Sequence, residues 1–293
     1  MLTVKTLAAY FHAGALMLVA HVSTAAEVSP TVRAVEYARV GGQPLLLDLY
    51  LPKGVTKPPL LMWVHGGAWR AGSRKNMPLG ALVERGFAIA SVDYRLSTVA
   101  RFPANIHDLK AAVRWLRAHA DKHHYDAAKI GVAGASAGGH LVNLLGVVNG
   151  HPDLEGTVGG HLDRSSDVQA IVSFYGAANL TTILSQSTPH GLGVRVPALE
   201  LLLGDRPENV PDLARLASPV FHVDKHDPPL LMIHGDQDPQ MPVNQSIELL
   251  GRYRELGLDV ELRFLHGGAH GGPAFYDEAR MDLVEKFLRR CLH

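Results

Sequence analysis

The chain has a single cysteine, Cys291, among its 293 residues. It can therefore close no internal disulfide and build neither a four-cysteine zinc site nor a Cys-x-x-Cys redox pair. An excess of one charge is missing too, because 28 Lys and Arg balance 28 Asp and Glu. A nucleic-acid binder would carry a basic surplus and an acidic disordered chain the reverse, so neither class fits. No unbroken apolar run reaches the roughly 18–20 residues that span a bilayer. Charged residues are sparse at 19% and hydrophobic ones reach 47%, the mix of a globular protein with a sizeable core. Glycine (29) and proline (18) are plentiful, which implies many tight turns between short elements. The 17 histidines raise the question of metal binding. No helix carries His-x-x-x-His backed by Glu and no tight His/Asp cluster occurs, so neither a metal nor any other cofactor is expected.

Residues 1–26 read as a secretory signal. Lys5 supplies a short positive start, and 7–22 is mostly apolar but interrupted by His12, Gly14 and His21. Ser23-Thr24-Ala25-Ala26 then offers small residues before Glu27. The expected mature chain, 27–293, is secreted or periplasmic and keeps no stable membrane span. Export permits disulfides that this chain cannot form, so its stability must come from packing.

Along the mature chain, 33–40 and 45–51 read as two strands joined at Gly41-Gly42. Short apolar runs at 60–64, 87–92, 130–133, 168–175, 230–233 and 260–265 read as further strands. Between them, helical spacing is expected from Pro103 onward and over 138–148, 243–256 and 275–292. Short apolar strands alternating with amphipathic helices imply an α/β fold, a mostly parallel central sheet covered by helices on both faces. Neither a linker nor an internal repeat divides it, so one catalytic domain is expected. The stretch 177–217, with Gly191, Gly193, Pro197, Gly204, Pro207 and Pro211, reads as irregular. It is either a small insertion over the active site or a long surface excursion.

Gly134-Ala135-Ser136-Ala137-Gly138 has the form Gly-x-Ser-x-Gly, directly after an expected strand and opening an expected helix. A sharp strand-to-helix turn presents the serine hydroxyl above the sheet, and neighbouring backbone crowds the positions two before and two after it. An incidental serine in a small-residue turn is the bland alternative; a phosphate loop is disfavoured because no Gly-Lys-Ser/Thr follows. His65-Gly66-Gly67-Ala68-Trp69 follows another strand. Its backbone amides at Gly67 and Ala68, with that of Ala137 after the serine, would bind a carbonyl oxygen that becomes negative. His65 is expected to bond nearby loop backbone. Trp69 either lines the substrate pocket or packs the loop.

Serine needs a base, itself oriented by a third group, and in this architecture the order is Ser, then Asp/Glu, then His. Gly235-Asp236-Gln237-Asp238-Pro239 and His266-Gly267-Gly268-Ala269-His270 each follow a late strand, in that order. Spacing alone leaves two acids, Asp236 and Asp238, and two bases, His266 and His270.

With these loops in place the chain resembles an α/β-hydrolase, most closely the hormone-sensitive-lipase-like and feruloyl/acetylxylan-esterase-like (BD-FAE type) carboxylesterases. The resemblance rests on the loops quoted above together with Asp93-Tyr94-Arg95-Leu96 and Gly138-Gly139-His140. It implies that Asp238 is the acid, His270 the base and Ser136 the nucleophile. Ala135 and Ala68 depart from the Asp and the third Gly typical of the lipase branch, which favours the polysaccharide-side-chain esterase branch. The implied activity is a serine carboxylesterase acting on small-molecule or polymer-linked esters. An amidase, a peptidase or an arylformamidase shares the same triad, and a non-catalytic binding protein would ordinarily lack one of its members.

Overall fold

The computed structural model describes residues 28–292, so the expected secretory segment lies outside the described residues. Eight strands form one sheet: β1 Val32–Val40, β2 Gln43–Tyr50, β3 Pro59–Val64, β4 Ala88–Val92, β5 Asp126–Ala135, β6 Ile171–Phe174, β7 Leu230–Gly235 and β8 Val260–Leu265. Their spatial order is β1-β2-β4-β3-β5-β6-β7-β8. β1 and β2 pair as a hairpin, and β2 runs antiparallel to β4. Every later neighbour pair is parallel. The helices are α1 Gly80–Glu84, α2 Ala104–Ala118, α3 Ala120–His123, α4 Ala137–Val147, α5 Pro152–Glu155, α6 Ile183–Gln186, α7 Pro189–Leu203, α8 Pro211–Leu216, α9 Asn244–Glu255 and α10 Glu278–Cys291.

Side chains alternate across a pleated strand, so β3 feeds two cores. Leu60, Met62 and Val64 join α2 and α4 on one face, while Leu61 and Trp63 join α1 and α10 on the other. Strands β3, β4, β6 and β7 are buried almost throughout, as parallel strands covered on both faces must be. Every residue of α4 is buried, which explains why its sequence is mostly apolar and not striped.

The strand order determines where a site can form. After β3 the chain moves outward to β4, then crosses back to β5 on the other side of β3. At such a reversal the connections diverge and leave a crevice at the carboxyl ends of the two strands. Val64, the last residue of β3, pairs with Gly134 of β5. The loops beginning at His65 and Ser136 therefore start side by side. On the far side, Gly235 of β7 pairs with Leu265 of β8, which brings the Asp236 and His266 loops together.

Two expectations need correction. The 177–217 stretch is largely helical, containing α6, α7 and α8. Pro189, Gly204 and Pro211 stand at helix ends, while Gly191, Gly193 and Pro197 are accommodated within α7. Thr188 caps α7 by accepting from the Gly191 amide, Pro189 takes the first turn, and Gly204 ends the helix at φ 94°. The last helix is also shorter than expected: Pro273–Tyr276 form a 3-10 turn, and Asp277 caps α10 at the Arg280 amide.

The join of β5 to α4 leaves no room for side chains at its glycines. A Cβ on Gly138 would stand 2.1 Å from the Val64 carbonyl oxygen, and one on Gly134 2.4 Å from that of Gly138. Both partners are backbone and cannot swing away. Gly138→Ala is expected to cost about 3 kcal/mol in urea unfolding. A loss below about 0.5 kcal/mol would show that strand and helix are free to part.

Candidate active site

The chain turns from β5 into α4 at one residue. Ser136 sits at φ 56°, ψ −116°, a conformation costing an L-residue on the order of 1–3 kcal/mol. The Ser136 amide donates to the Phe174 carbonyl at 2.9 Å and its carbonyl accepts from the His140 amide at 2.9 Å, so sheet and helix both hold the turn.

The Ser136 hydroxyl lies 2.8 Å from His270 Nε2, and His270 Nδ1 lies 2.7 Å from Asp238 Oδ2. A carboxylate only accepts, so Nδ1 carries the hydrogen; in the neutral ring Nε2 is then the acceptor, and the serine hydroxyl donates to it. That polarity is what a general base requires. Asp238 is enclosed by donors. Its Oδ1 accepts from the Gln240 and Met241 amides, both at 2.8 Å, and His234 Nε2 approaches Oδ2 at 3.4 Å. His234 is fully buried and fixed at both nitrogens: Nε2 donates to the Met241 carbonyl at 3.1 Å and Nδ1 accepts from the Ser246 hydroxyl at 2.8 Å. Burial alone would raise the Asp238 carboxyl. Hydrogen bonds from His234 and His270, with attraction to His270 and the Met241 amide, outweigh it and hold the group well below the ordinary carboxylate range.

The two acids and two histidines left open by spacing form two parallel pairs. Asp236 Oδ2 meets His266 Nδ1 at 2.8 Å, and Asp236 Oδ1 accepts from the Gly267 amide at 2.8 Å. The His266 side chain is 88% exposed. That pair clips the two loops together at the surface, while the Asp238–His270 pair faces the serine.

The loop after β3 is strained. Gly67, Ala68 and Trp69 have φ of 110°, 51° and 59°, three left-handed residues in succession. A Cβ on Gly67 would lie 2.2 Å from the Ala71 carbonyl oxygen, so only glycine fits there. Among the described residues the Gly67 and Ala68 amides meet no protein acceptor, and both residues line the cavity beside Ser136. Ala137 is the first residue of α4, where a helix leaves its amide unpaired. His65 stacks on Tyr94 with ring centroids 4.6 Å apart and bonds the Gly66 carbonyl, the structural part expected of it.

Trp69 needs correction as a pocket residue. Its side chain is fully buried, and its indole N–H donates to His140 Nδ1 at 3.1 Å. His140 Nε2 in turn donates to the Ala217 carbonyl at 2.7 Å. Burial pushes the His140 imidazole down to about 4, so it stays neutral and keeps one donor and one acceptor. The loop, α4 and the end of the 177–217 stretch are thereby tied by one buried thread. His140 on α4 and His234 on β7 stand beside motifs recognisable in the sequence, but their roles there could not be read. Each is defined by a carbonyl or hydroxyl distant along the chain, which no local pattern shows.

A cavity of about 750 Å³ opens beside the serine, lined by Ser136, His270 and the Gly66–Ala68 backbone. Trp63, Tyr175 and Tyr276 with Met77 and Pro78 form an aromatic and apolar wall, and Arg195 of α7 contributes from the 177–217 stretch. That stretch therefore reaches the site. Thr188 also donates to the Pro239 carbonyl at 2.6 Å, which packs α7 on the Asp238 loop. Among the described residues no cluster of His, Cys, Asp and Glu could hold a metal ion.

The chain is similar to known esterases. A model of the BD-FAE family matches residues 47–253. Esterase LipC of Mycobacterium tuberculosis is 37% identical over 233 residues, which cover 77% of this chain and 56% of that protein. The chain spans about half the length of the curated relatives it matches. Among solved structures, a truncated carbohydrate esterase from gut microbiota aligns with a TM-score of 0.81 at 33% identity, over 90% of this chain and 98% of that one. The propionate-bound esterase Est2 of Thermogutta terrifontis aligns with a TM-score of 0.73 at 25% identity, over 89% and 94%. Together with the strand order, these likenesses show the α/β-hydrolase fold.

The Asp238 surroundings set a pH dependence. A carboxyl whose native pKa lies below its unfolded value of about 3.9 stabilises the fold above that value and loses the contribution as pH falls through the native one. Asp238→Asn cannot ionise and lacks the contribution. The stability gap between the parent chain and this variant is expected to be full above about pH 5 and to shrink below about pH 4. Urea unfolding across that range measures it, and a gap that does not change with pH would contradict the assignment.

Proposed function

The chain belongs to the BD-FAE family, and from that premise we propose that it is a serine carboxylesterase that cleaves carboxylic esters through an acyl-enzyme on Ser136. The observation that carries this reading is the continuous line from the Ser136 hydroxyl through His270 to Asp238, at 2.8 and 2.7 Å, opening onto a cavity large enough for an ester.

The chemistry follows from the donors and acceptors. Ser136 Oγ attacks the ester carbonyl carbon as His270 Nε2 takes its proton, and Asp238 stabilises the imidazolium that results. The carbonyl oxygen becomes negative and is met by the Gly67, Ala68 and Ala137 amides. His270 then returns the proton to the departing alkoxide oxygen, leaving an ester of Ser136. Water enters, His270 removes its proton, and the second attack releases the carboxylic acid and restores the serine. No step needs a cofactor. The cavity opens to solvent, which supports either a small ester or one attached to a larger molecule.

Ser136→Ala is expected to lower kcat on p-nitrophenyl acetate by a factor on the order of 10⁶. A fluorophosphonate probe should label the parent chain at Ser136, read by mass spectrometry of the digest, and leave the variant untouched. Turnover at the parent rate by the variant would refute the role of Ser136.

A further inference from the structure

The cavity beside Ser136 is lined by three cations, Arg70, Lys75 and Arg195, and by no carboxylate among the described residues. In a chain with equal numbers of acids and bases, such a lining is a local imbalance. The other buried cations are matched: Lys110 and Arg114 share Glu155. Arg74, a few residues beyond the amide loop, is paired with Asp48 and Asp93. Arg195 is only 1% exposed and yet has no acid partner among the described residues. Its Nε makes one long hydrogen bond of 3.4 Å to the Gln240 carbonyl, and its Nη1 is buried without a partner.

A buried guanidinium with an orphan donor is costly. Burial pushes it down to about 10, still protonated near neutral pH, and the like charge of Arg70 acts on it more weakly than the opposite charge of Asp238. Asp238 attracts it, but both Asp238 oxygens are already engaged by the Gln240 and Met241 amides and by His270. The side chain is nonetheless held in place. Its guanidinium carbon stands 6.0 Å from the centre of the Trp69 ring, between the amide loop and the Asp238 loop that flank the serine. A fixed positive fork beside the reacting centre, with donors unspent and a second cation near it, is complementary to a planar anion.

We propose that Arg195, supported by Arg70, forms a carboxylate-recognition subsite, and that the preferred substrates are esters whose alcohol or acyl part carries a carboxylate. The proposal rests on the esterase reading above and narrows it to a substrate class. The aromatic wall of Trp63, Tyr175 and Tyr276 takes the uncharged remainder of the molecule.

The test compares near-isosteric pairs on the full chain. For a carboxylate on the alcohol side, 4-acetoxybenzoate is set against 4-acetoxybenzamide; for the acyl side, monomethyl succinate is set against methyl succinamate. At low ionic strength kcat/KM is expected to favour the acid by about tenfold or more in at least one pair, and salt should erode the preference. The favoured pair shows which end the subsite reads. Arg195→Met should abolish the preference, Arg195→Lys should restore part of it, and Arg70→Met should weaken it. Should Arg195→Met fail to fold, the parent-chain ratios and Arg70→Met still decide. Acid and amide turned over within twofold of each other in both pairs, with p-nitrophenyl acetate hydrolysed normally, would overturn the subsite and leave the esterase reading standing. No turnover of any ester and no fluorophosphonate labelling would overturn both.

Discussion

A parallel strand that must become a helix within one residue leaves space for almost nothing else, and that constraint organises the molecule around Ser136. The serine accepts a left-handed backbone, Gly134 and Gly138 give up their side chains to the backbone of β3 and α4, and the hydroxyl is left standing above the sheet. Because β3 runs next to β5 in register, the same crowding brings Gly66 against the turn, where a Cβ would lie 2.8 Å from the Ala135 carbonyl oxygen. Strain in one place and close packing in another are thus two sides of one join. The cores on both faces of the sheet bear that strain, since Leu60, Met62 and Val64 on one side and Leu61 and Trp63 on the other keep β3 from withdrawing.

Electrostatics completes what the backbone begins. Asp238 keeps its charge although buried, because two amides and two histidines supply the hydrogen bonds that water would otherwise give. His140, equally buried but facing only a carbonyl and an indole, is held neutral. One protein interior therefore contains, near neutral pH, a carboxylate that stays charged and an imidazole that stays neutral. For Asp238 the bonding partners outweigh burial, and for His140 burial outweighs the bond to the Ala217 carbonyl.

Much of this was legible in the sequence and some was not. The sheet, the serine turn and the two late loops could be read because each is a local pattern: apolar runs, glycines at fixed offsets from Ser136, acids and histidines directly after strands. Spacing could not choose between Asp236 and Asp238 or between His266 and His270, since either pairing satisfies the same loop lengths; the structure forms both pairs and turns only one toward Ser136. Trp69 was ambiguous for a similar reason, as an indole serves a pocket or a core equally well until a partner for its N–H is known. The 177–217 stretch misled because Pro and Gly open and close helices as readily as they break them. Arg195 gave no sequence signal at all, because its meaning lies in the acid that is missing from its surroundings.

The buried thread from Trp69 through His140 to Ala217 has a consequence for anyone reshaping this scaffold. The helices of 177–217 look like a detachable module, and grafting that module from a relative is an obvious route to a new substrate range. Its last residue, however, is also the anchor of the peptide strap that presents the amides on the opposite rim. A graft that respects the molecule would rejoin upstream of Ala217 and carry the tryptophan–imidazole–carbonyl linkage intact; a cut beyond it would exchange the roof and loosen the floor in the same stroke.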